Sequence, residues 1–177
     1  MPTIVELGHV GLHTFDLQRE ADFFAEILGL EITDGSAEEG FVFLSSRGDV
    51  EHHELLLTSG RTVPEGAILV QQVSFRCEQY EDILEYYERF KSRGVRIDMT
   101  VSHGIAIGIY FFDPEGNRFE VYWQTGLKAK QAFVEHLDLS LPKEEVLEKV
   151  RSGVEKYGST GFFESDARTQ LDMQSPD

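Results

Sequence analysis

The chain contains little cysteine, little positive charge and no long apolar run. Its single cysteine is Cys77, which excludes a disulfide within the chain and favours a reducing compartment. No apolar stretch reaches the roughly 18 residues that a transmembrane helix needs, and the start lacks the basic-then-apolar pattern of a secretory signal. We therefore expect a cytoplasmic protein that is held together by its core alone.

Positive charge is scarce as well. The 16 lysines and arginines face 32 acidic residues, which gives a net charge of −16. Nucleic acid and anionic membranes bind clustered Lys and Arg, so this balance argues against both as partners. Most of the surplus acid is expected to form a solvated surface, which leaves a small molecule as the predicted ligand.

The residues from Val101 to Trp123 read as a β-hairpin, because two alternating runs flank the turn signal DPEGN at 113–117. On the first strand the isoleucines at 105, 107 and 109 share one face, whereas Gly104, Ala106, Gly108 and Tyr110 share the other. The bulky face is expected to pack under a helix. The bare face leaves room for a group that is not protein.

On the returning strand, Glu120 and Tyr122 lie on the opposite side from Phe119, Val121 and Trp123. A carboxylate that faces a hollow needs a partner, because an unpaired buried charge is costly. A metal cation is the simplest partner for Glu120.

The pattern of this half also occurs earlier in the chain, at a spacing of about 65 residues. HVGL at 9–12 aligns with QVSF at 72–75, and ELLL at 54–57 aligns with EVYW at 120–123. Two copies of a βαβββ unit explain these matches. The predicted fold is therefore α+β, with two tandem βαβββ modules that form a half-open, cup-shaped mixed sheet with the helices outside.

The first module is predicted over residues 1–60 and the second over 66–125. In module one, strands are expected at 5–13, 30–33, 40–45 and 51–58, with a helix that begins after Asp16 and ends at Gly29. In module two, strands are expected at 68–76, 95–99, 105–112 and 118–123, with a helix over 81–92. Residues 126–177 form a C-terminal helical extension with a helix over 141–157 and a loose end.

The first and last strands of each module bring one side chain to the centre of the predicted cup. Those side chains are His9, Glu54, Gln72 and Glu120. An imidazole, two carboxylates and an amide oxygen suit a divalent ion such as Fe(II), Mn, Ni, Zn or Mg. No sulfur is present, so a structural zinc site is not expected.

These residues stand in motifs that resemble the vicinal oxygen chelate superfamily, which includes glyoxalase I, methylmalonyl-CoA epimerase, fosfomycin and bleomycin resistance proteins and type I extradiol dioxygenases. The resemblance covers Val5 to Gln124. Its marks are GHVGL at 8–12, LGL at 28–30, HHELLL at 52–57 and SHGIAIGIYFFDPEGNRFEVYW at 102–123.

The resemblance is closest to extradiol dioxygenase-like proteins. It implies His9 and Glu120 as metal ligands and Fe(II) as the expected metal. It also implies catalytic groups beside the substrate, at His53 (or His52), His103 and Tyr110. The second histidine ligand of that family falls at Gln72, which is a weaker donor.

The glyoxalase and epimerase branches accept Gln, Glu and His at the positions of His9, Glu54, Gln72 and Glu120. On a regular strand His53 and Glu54 point to opposite faces. If Glu54 faces the site, the metal has four protein ligands, which favours the isomerase-like interpretation. If His53 faces the site, the metal has three protein ligands and a histidine beside it that can act as a base.

Three hypotheses follow. The first is a metal-dependent dioxygenase that cleaves a small catechol-like aromatic, with oxygen atoms on adjacent carbons held by the metal. The second is a lyase or isomerase in which the metal stabilises an enediolate. The third is a small-molecule-binding protein of the resistance type without turnover. Exposed sheet edges favour a homodimer in each case.

Overall fold

The structure is a computed structural model that describes residues 6–64, 67, 70–131 and 134–158. Its elements follow in the order β1 (Val10–Thr14), α1 (Leu17–Leu28), β2 (Glu31–Ser36), β3 (Phe41–Ser45), β4 (Leu55–Ser59), β5 (Val73–Arg76), α2 (Tyr80–Arg93), β6 (Ile97–Ser102), β7 (Ala106–Phe112), β8 (Arg118–Gln124), β9 (Glu135–His136) and α3 (Lys143–Tyr157). The order βαβββ occurs twice, and the predicted α+β class is confirmed.

The chain divides into two compact units. Unit 1 is Met1–Leu69 with Asp113–Asn117, and unit 2 is Val70–Phe112 with Arg118–Asp177. The module boundaries at residues 60, 66 and 125 remain predictions. Over the described residues, no helix has the length and apolar character needed to cross a bilayer.

Unit 1 contains a mixed four-stranded sheet in the order β1-β4-β3-β2. β1 and β4 are parallel, and the other two pairs are antiparallel. Helix α1 covers this sheet, because its apolar residues recur at helical spacing and are buried with the inner residues of β3 and β4. These buried residues are Leu17, Ala21, Phe24, Ile27, Leu28, Val42, Leu44, Leu55 and Leu57.

Both predicted ends of α1 are confirmed. The Asp16 side chain accepts a hydrogen bond from the Arg19 backbone N–H at 3.1 Å, and Gly29 closes the helix in the left-handed region with φ 75°.

Unit 2 contains a five-stranded sheet in the order β5-β8-β7-β6-β9. β5 and β8 are parallel, as β1 and β4 are in unit 1. Helix α2 packs on β7 and β8, where the Phe90 ring lies 4.5 Å from that of Phe111. The isoleucine face of β7 is buried as expected, and Gly94 ends α2 with φ 68°.

Three strands begin four or five residues later than predicted, and the other starts agree to within two residues. β1 begins at Val10, β4 at Leu55 and β5 at Val73, and residues 1–5, 65–66 and 68–69 lie outside the described part of the chain. Before β4 the backbone makes other bonds: the Glu51 N–H donates to the Arg47 carbonyl, and the His52 carbonyl accepts from the Thr33 hydroxyl. Residues 51–53 are therefore irregular, and the bonds to the neighbouring strands begin at Glu54, whose N–H donates to the Leu44 carbonyl.

The described part of the C-terminal extension belongs to unit 2. Its short strand β9, which the sequence did not predict, pairs with β6, and Lys149 donates to the His136 carbonyl. The predicted helix is α3, which buries Val146, Leu147 and Val150. The predicted loose end falls at residues 159–177, outside the described residues.

Candidate metal and substrate site

Glu120 lies at the centre of the sheet in unit 2. Its strand, β8, runs between β5 and β7, and Glu120 is paired with Ser74 on one side and Tyr110 on the other. Its exposed fraction is only 5%. Alternation along β8 places its side chain on the face opposite the core residues Phe119 and Val121, as predicted.

One oxygen of Glu120 is held by two donors from the neighbouring strand. Oε2 accepts from the Ser74 hydroxyl at 2.6 Å and from the Gln72 amide nitrogen at 3.0 Å. That nitrogen is also 2.9 Å from the Ser74 hydroxyl oxygen. Because an ionised carboxylate only accepts, the nitrogen end of the Gln72 amide faces Glu120 and its oxygen end is turned away.

The other oxygen of Glu120 rests on the bare backbone of Gly108. A Cβ atom added at Gly108 would collide with Oε1 and would lie 3.2 Å from the carboxyl carbon. Gly108 does not adopt a positive φ, so the glycine is required here by space and not by backbone conformation. At Gly108 the room on the bare face of β7, which was expected to receive a group that is not protein, is taken by the Glu120 carboxylate.

Tyr110 and His103 form a pair beside Glu120. The His103 Nε2 atom lies 3.1 Å from the Tyr110 hydroxyl, and the Arg118 guanidinium stacks 4.2 Å above the tyrosine ring. The hairpin places Tyr110 opposite Glu120, while His103 sits at the turn that precedes β7. Two of the predicted catalytic residues are therefore in contact.

The pKa of Tyr110 is raised, first by burial and then by the negative charge of Glu120. Its phenol therefore stays protonated at neutral pH and can donate a hydrogen bond. If that proton points to the Glu120 carboxylate, the Tyr110 oxygen accepts from a protonated His103 Nε2. This arrangement can hold or move one proton along a short chain of three groups.

A second group of predicted residues lies in unit 1. His9 precedes β1, and its ring centroid lies 4.4 Å from that of His53. His53 also packs against Phe43, with the ring centroids 4.7 Å apart. The Nδ1 atoms of His52 and His53 are 2.9 Å apart, so one of the two nitrogens must lack a proton.

The pKa of His53 is lowered, first by desolvation and then by the charges of His9 and His52 when these are protonated. His53 is therefore neutral at pH 7 and is able to accept a proton.

Glu54 is held away from this imidazole group. Its Oε2 accepts from the backbone N–H of Ser46 at 2.8 Å and from the Ser46 hydroxyl at 2.5 Å, and its Oε1 lies 3.3 Å from Arg47 Nε. The pKa of Glu54 is lowered because these hydrogen bonds and Arg47 outweigh its burial. Ser46 and Arg47 thus occupy both oxygens of Glu54.

The residues present fit a divalent cation. Glu120 is a buried carboxylate that has hydrogen-bond donors but, among the residues the structure describes, no ion pair with Lys or Arg. No three His, Cys, Asp or Glu side chains in the described ranges form a cluster that could hold a metal. The predicted set His9, Gln72 and Glu120 contains only two residues of those types, and its convergence on one ion remains a prediction.

Ser74 was missed by the sequence analysis. The sequence contained an indication of its role, because Ser74 follows Gln72 by two residues and therefore lies on the same face of the strand. Phe41 and Phe43 both lie outside the core, and Phe43 contacts His52 and His53.

The βαβββ order occurs twice, and the last strand of the second copy, β8, carries the buried Glu120. These two features define the class of protein as one built from repeated βαβββ modules. The model of the Glyoxalase/Bleomycin resistance protein/Dioxygenase superfamily matches residues 6–121, and the chain belongs to this superfamily. The resemblance drawn from the sequence is therefore confirmed.

Several relatives support this assignment. The manganese-dependent 2,3-dihydroxybiphenyl 1,2-dioxygenase of Geobacillus genomosp. 3 is 32% identical over 123 residues, which cover 68% of this chain and 37% of the relative. Biphenyl-2,3-diol 1,2-dioxygenase 2 of Rhodococcus globerulus is 26% identical over 125 residues, which cover 68% of this chain and 64% of the relative.

Among solved structures, the fosfomycin resistance protein FosX of Listeria monocytogenes is 26% identical with a TM-score of 0.56, and the match covers 70% of this chain and 96% of that one. The chain thus spans about a third of the Geobacillus dioxygenase, under two thirds of the Rhodococcus one and nearly all of FosX.

Proposed function

We propose that the chain is a metal-dependent enzyme of the extradiol dioxygenase type, which binds a small catechol-like aromatic and cleaves its ring with dioxygen. The observation that carries the proposal is Glu120, an anion buried on the bare face of a sheet with no basic partner among the described residues. A cation would supply the missing charge.

The proposed ligands are His9, Gln72 through its amide oxygen, and Glu120. Glu54 is left with Ser46 and Arg47. A divalent ion in this set would chelate the two adjacent oxygens of a catechol and mediate electron transfer to dioxygen. Mn(II) and Fe(II) are both proposed, since the Geobacillus relative is named as manganese-dependent.

The chain's own groups supply the proton chemistry. His53, neutral at pH 7, accepts a proton from a catechol hydroxyl. Tyr110, which stays protonated, donates a hydrogen bond to a substrate oxygen, and His103 orients that hydroxyl through its 3.1 Å contact. The ring of Phe43 gives the substrate an apolar surface next to His53.

Two measurements test the proposal together. Protein loaded anaerobically with Fe(II) or Mn(II) is expected to consume dioxygen with at least one member of a catechol panel that includes 2,3-dihydroxybiphenyl. Metal analysis is expected to find one ion per chain in the wild type and a large loss in His9→Ala. His13→Ala is the matched control, because His13 lies on β1 and is bonded to Thr58 and Ser59.

Each measurement tests a separate part of the proposal. Full metal content in His9→Ala would reject the ligand assignment. Absence of oxygen uptake with every catechol and both metals would reject the oxygenase.

A second function is favoured by Gln72. An amide in place of a histidine weakens the case for Fe(II), and a fosfomycin resistance protein is 30% identical over 124 residues. In this alternative the same site performs a lyase or isomerase reaction without oxygen. Activity of Ni- or Zn-loaded protein on a hemithioacetal or a thioester, together with no oxygen uptake, would support it. Tight ligand binding without metal or turnover would instead indicate a sequestering protein.

A further inference from the structure

We propose that Ser74 and Gly108 are the positioning residues of Glu120, which together fix its carboxylate so that Oε2 is occupied by the protein and Oε1 is presented to the metal. This inference rests on the proposed function and adds to it the assignment of one ligand atom. Neither residue touches the metal or the substrate in this proposal, and both act through Glu120.

The role of Ser74 follows from its hydrogen bond. The distance of 2.6 Å from the Ser74 hydroxyl to Glu120 Oε2 is typical of a short, charge-assisted bond, which is about twice as strong as a neutral one. The parallel register pairs these two residues directly across β5 and β8. Ser74 is thus fixed by the sheet and can hold the carboxylate in one orientation.

Gln72 cannot provide this orientation alone. Its amide nitrogen donates both to Ser74 and to Glu120 Oε2, and its longer side chain begins before β5. If Gln72 turns its oxygen to the metal, its nitrogen needs these two acceptors to stay in place. Ser74 therefore aligns two proposed ligands, the Glu120 carboxylate and the Gln72 amide.

Gly108 acts from the opposite side. Glu120 Oε1 occupies the space that any side chain at position 108 would fill. The two oxygens of Glu120 thus point to the two strands that flank β8. Oε2 is bound by the donors near β5, and Oε1 lies against β7. Oε1 is the oxygen left for one-point binding to a metal.

Metal titration is the first test. Second-sphere hydrogen bonds to metal ligands are typically worth about 10–100-fold in metal affinity. In calorimetric titration, Ser74→Ala is expected to weaken Mn(II) binding by about 10–100-fold. Ser74→Thr keeps the hydroxyl and is expected to retain most of the Mn(II) affinity. Ser92→Ala is the matched control, because that serine lies on α2 and its hydroxyl donates to the Arg89 carbonyl of the same helix. Gly108→Ala is expected to weaken Mn(II) binding as well.

The second test needs no metal. In crystal structures of metal-free Ser74→Ala and Gly108→Ala, the Glu120 carboxylate is expected to leave the position that it holds in the wild type. A carboxylate that stays in place in both variants would overturn the positioning role. Equal Mn(II) affinity of Ser74→Ala and Ser92→Ala would overturn it too.

The two proposals can be told apart. If the wild type does not bind Mn(II) or Fe(II), the proposed function is wrong, and the metal-free structures still decide whether Ser74 and Gly108 position Glu120. If the wild type binds metal and Ser74→Ala binds it equally, the function stands and this inference fails.

Discussion

At the scale of single residues, a buried acid on α1 shows how one side chain can control stability. Glu20 lies in the core of unit 1 with 1% of its surface exposed, and among the residues that the structure describes neither of its oxygens has a hydrogen-bond partner. Burial, followed by the nearby charges of Asp113 and Glu115, raises its pKa to about 9, against a smaller opposing effect of Arg19. Glu20 is therefore a neutral acid in the folded protein at pH 7.

This leads to a pH-dependent prediction. In the unfolded chain Glu20 loses its proton near pH 4.5, whereas in the folded chain it keeps it to about pH 9. The folded state thus binds one proton more in this window, and the free energy of unfolding falls as pH rises, by about 1.4 kcal/mol per pH unit from this group. Its contribution is complete below pH 4.5 and is lost as the pH approaches 9.

Chemical denaturation from pH 5 to 9 measures this slope. Glu20→Gln mimics the neutral acid and is expected to flatten the decline, so that it is more stable than the wild type at pH 8. Glu26→Gln, an exposed acid on the same helix, should leave the slope unchanged. Identical slopes in the wild type and Glu20→Gln would show that Glu20 is ionised in the fold.

At the scale of elements, the first helix of each module ends in the same way. α1 and α2 each end at a glycine in the left-handed region, Gly29 with φ 75° and Gly94 with φ 68°. In α1 the Gly29 N–H donates to the Ala25 carbonyl at 3.1 Å, and the chain then turns into β2. Only glycine adopts this conformation without strain.

Replacing the glycine at the end of α1 isolates this effect. A Cβ at Gly29 meets no atom of the described residues within 4 Å, so Gly29→Ala adds strain without a clash among them. We expect a loss of about 1–2 kcal/mol in the free energy of unfolding. Gly8→Ala is the control, because Gly8 also has open space around it but no positive φ. Equal stability of the two variants would contradict the argument.

At the scale of the whole chain, one unit is assembled from residues that are far apart in sequence. The turn Asp113–Asn117 belongs to unit 1, where Glu115 Oε1 accepts from the Phe15 N–H at 2.6 Å and the Asp16 N–H at 2.9 Å. Arg61 Nη1 pairs with Glu115 Oε2 at 3.1 Å, and both side chains are only 4% exposed. A buried charge pair of this kind is costly to break on one side only.

The expected cost of that break can be measured. Arg61→Met leaves Glu115 buried with its charge unpaired and is expected to lower the free energy of unfolding by about 3–5 kcal/mol. The double variant Arg61→Met, Glu115→Gln should recover part of this loss. Lys91→Met is the control, because the Lys91–Glu88 pair is exposed and should be worth no more than about 1 kcal/mol. A similar loss in Arg61→Met and Lys91→Met would contradict a special role for the buried pair.

The order of elements and their faces were open to prediction because they depend on local pattern. Period-two alternation identified the β7–β8 hairpin, helical spacing identified α1 and α2, and glycines identified their ends. The internal repeat predicted two βαβββ units and placed Glu120 on the bare face. These features depend on neighbours a few residues apart, which the sequence displays directly.

Tertiary structure decided where polar side chains are bound. On a regular strand His53 and Glu54 lie on opposite faces, which left open which of the two enters the site, and in the structure Glu54 binds Ser46 while His53 packs beside His9. The bond from Ser74 to Glu120 depends on a parallel register between strands about 46 residues apart. Such pairings arise from packing across the sheet, so the sequence determined which residues could form the site and the fold determined which of them meet.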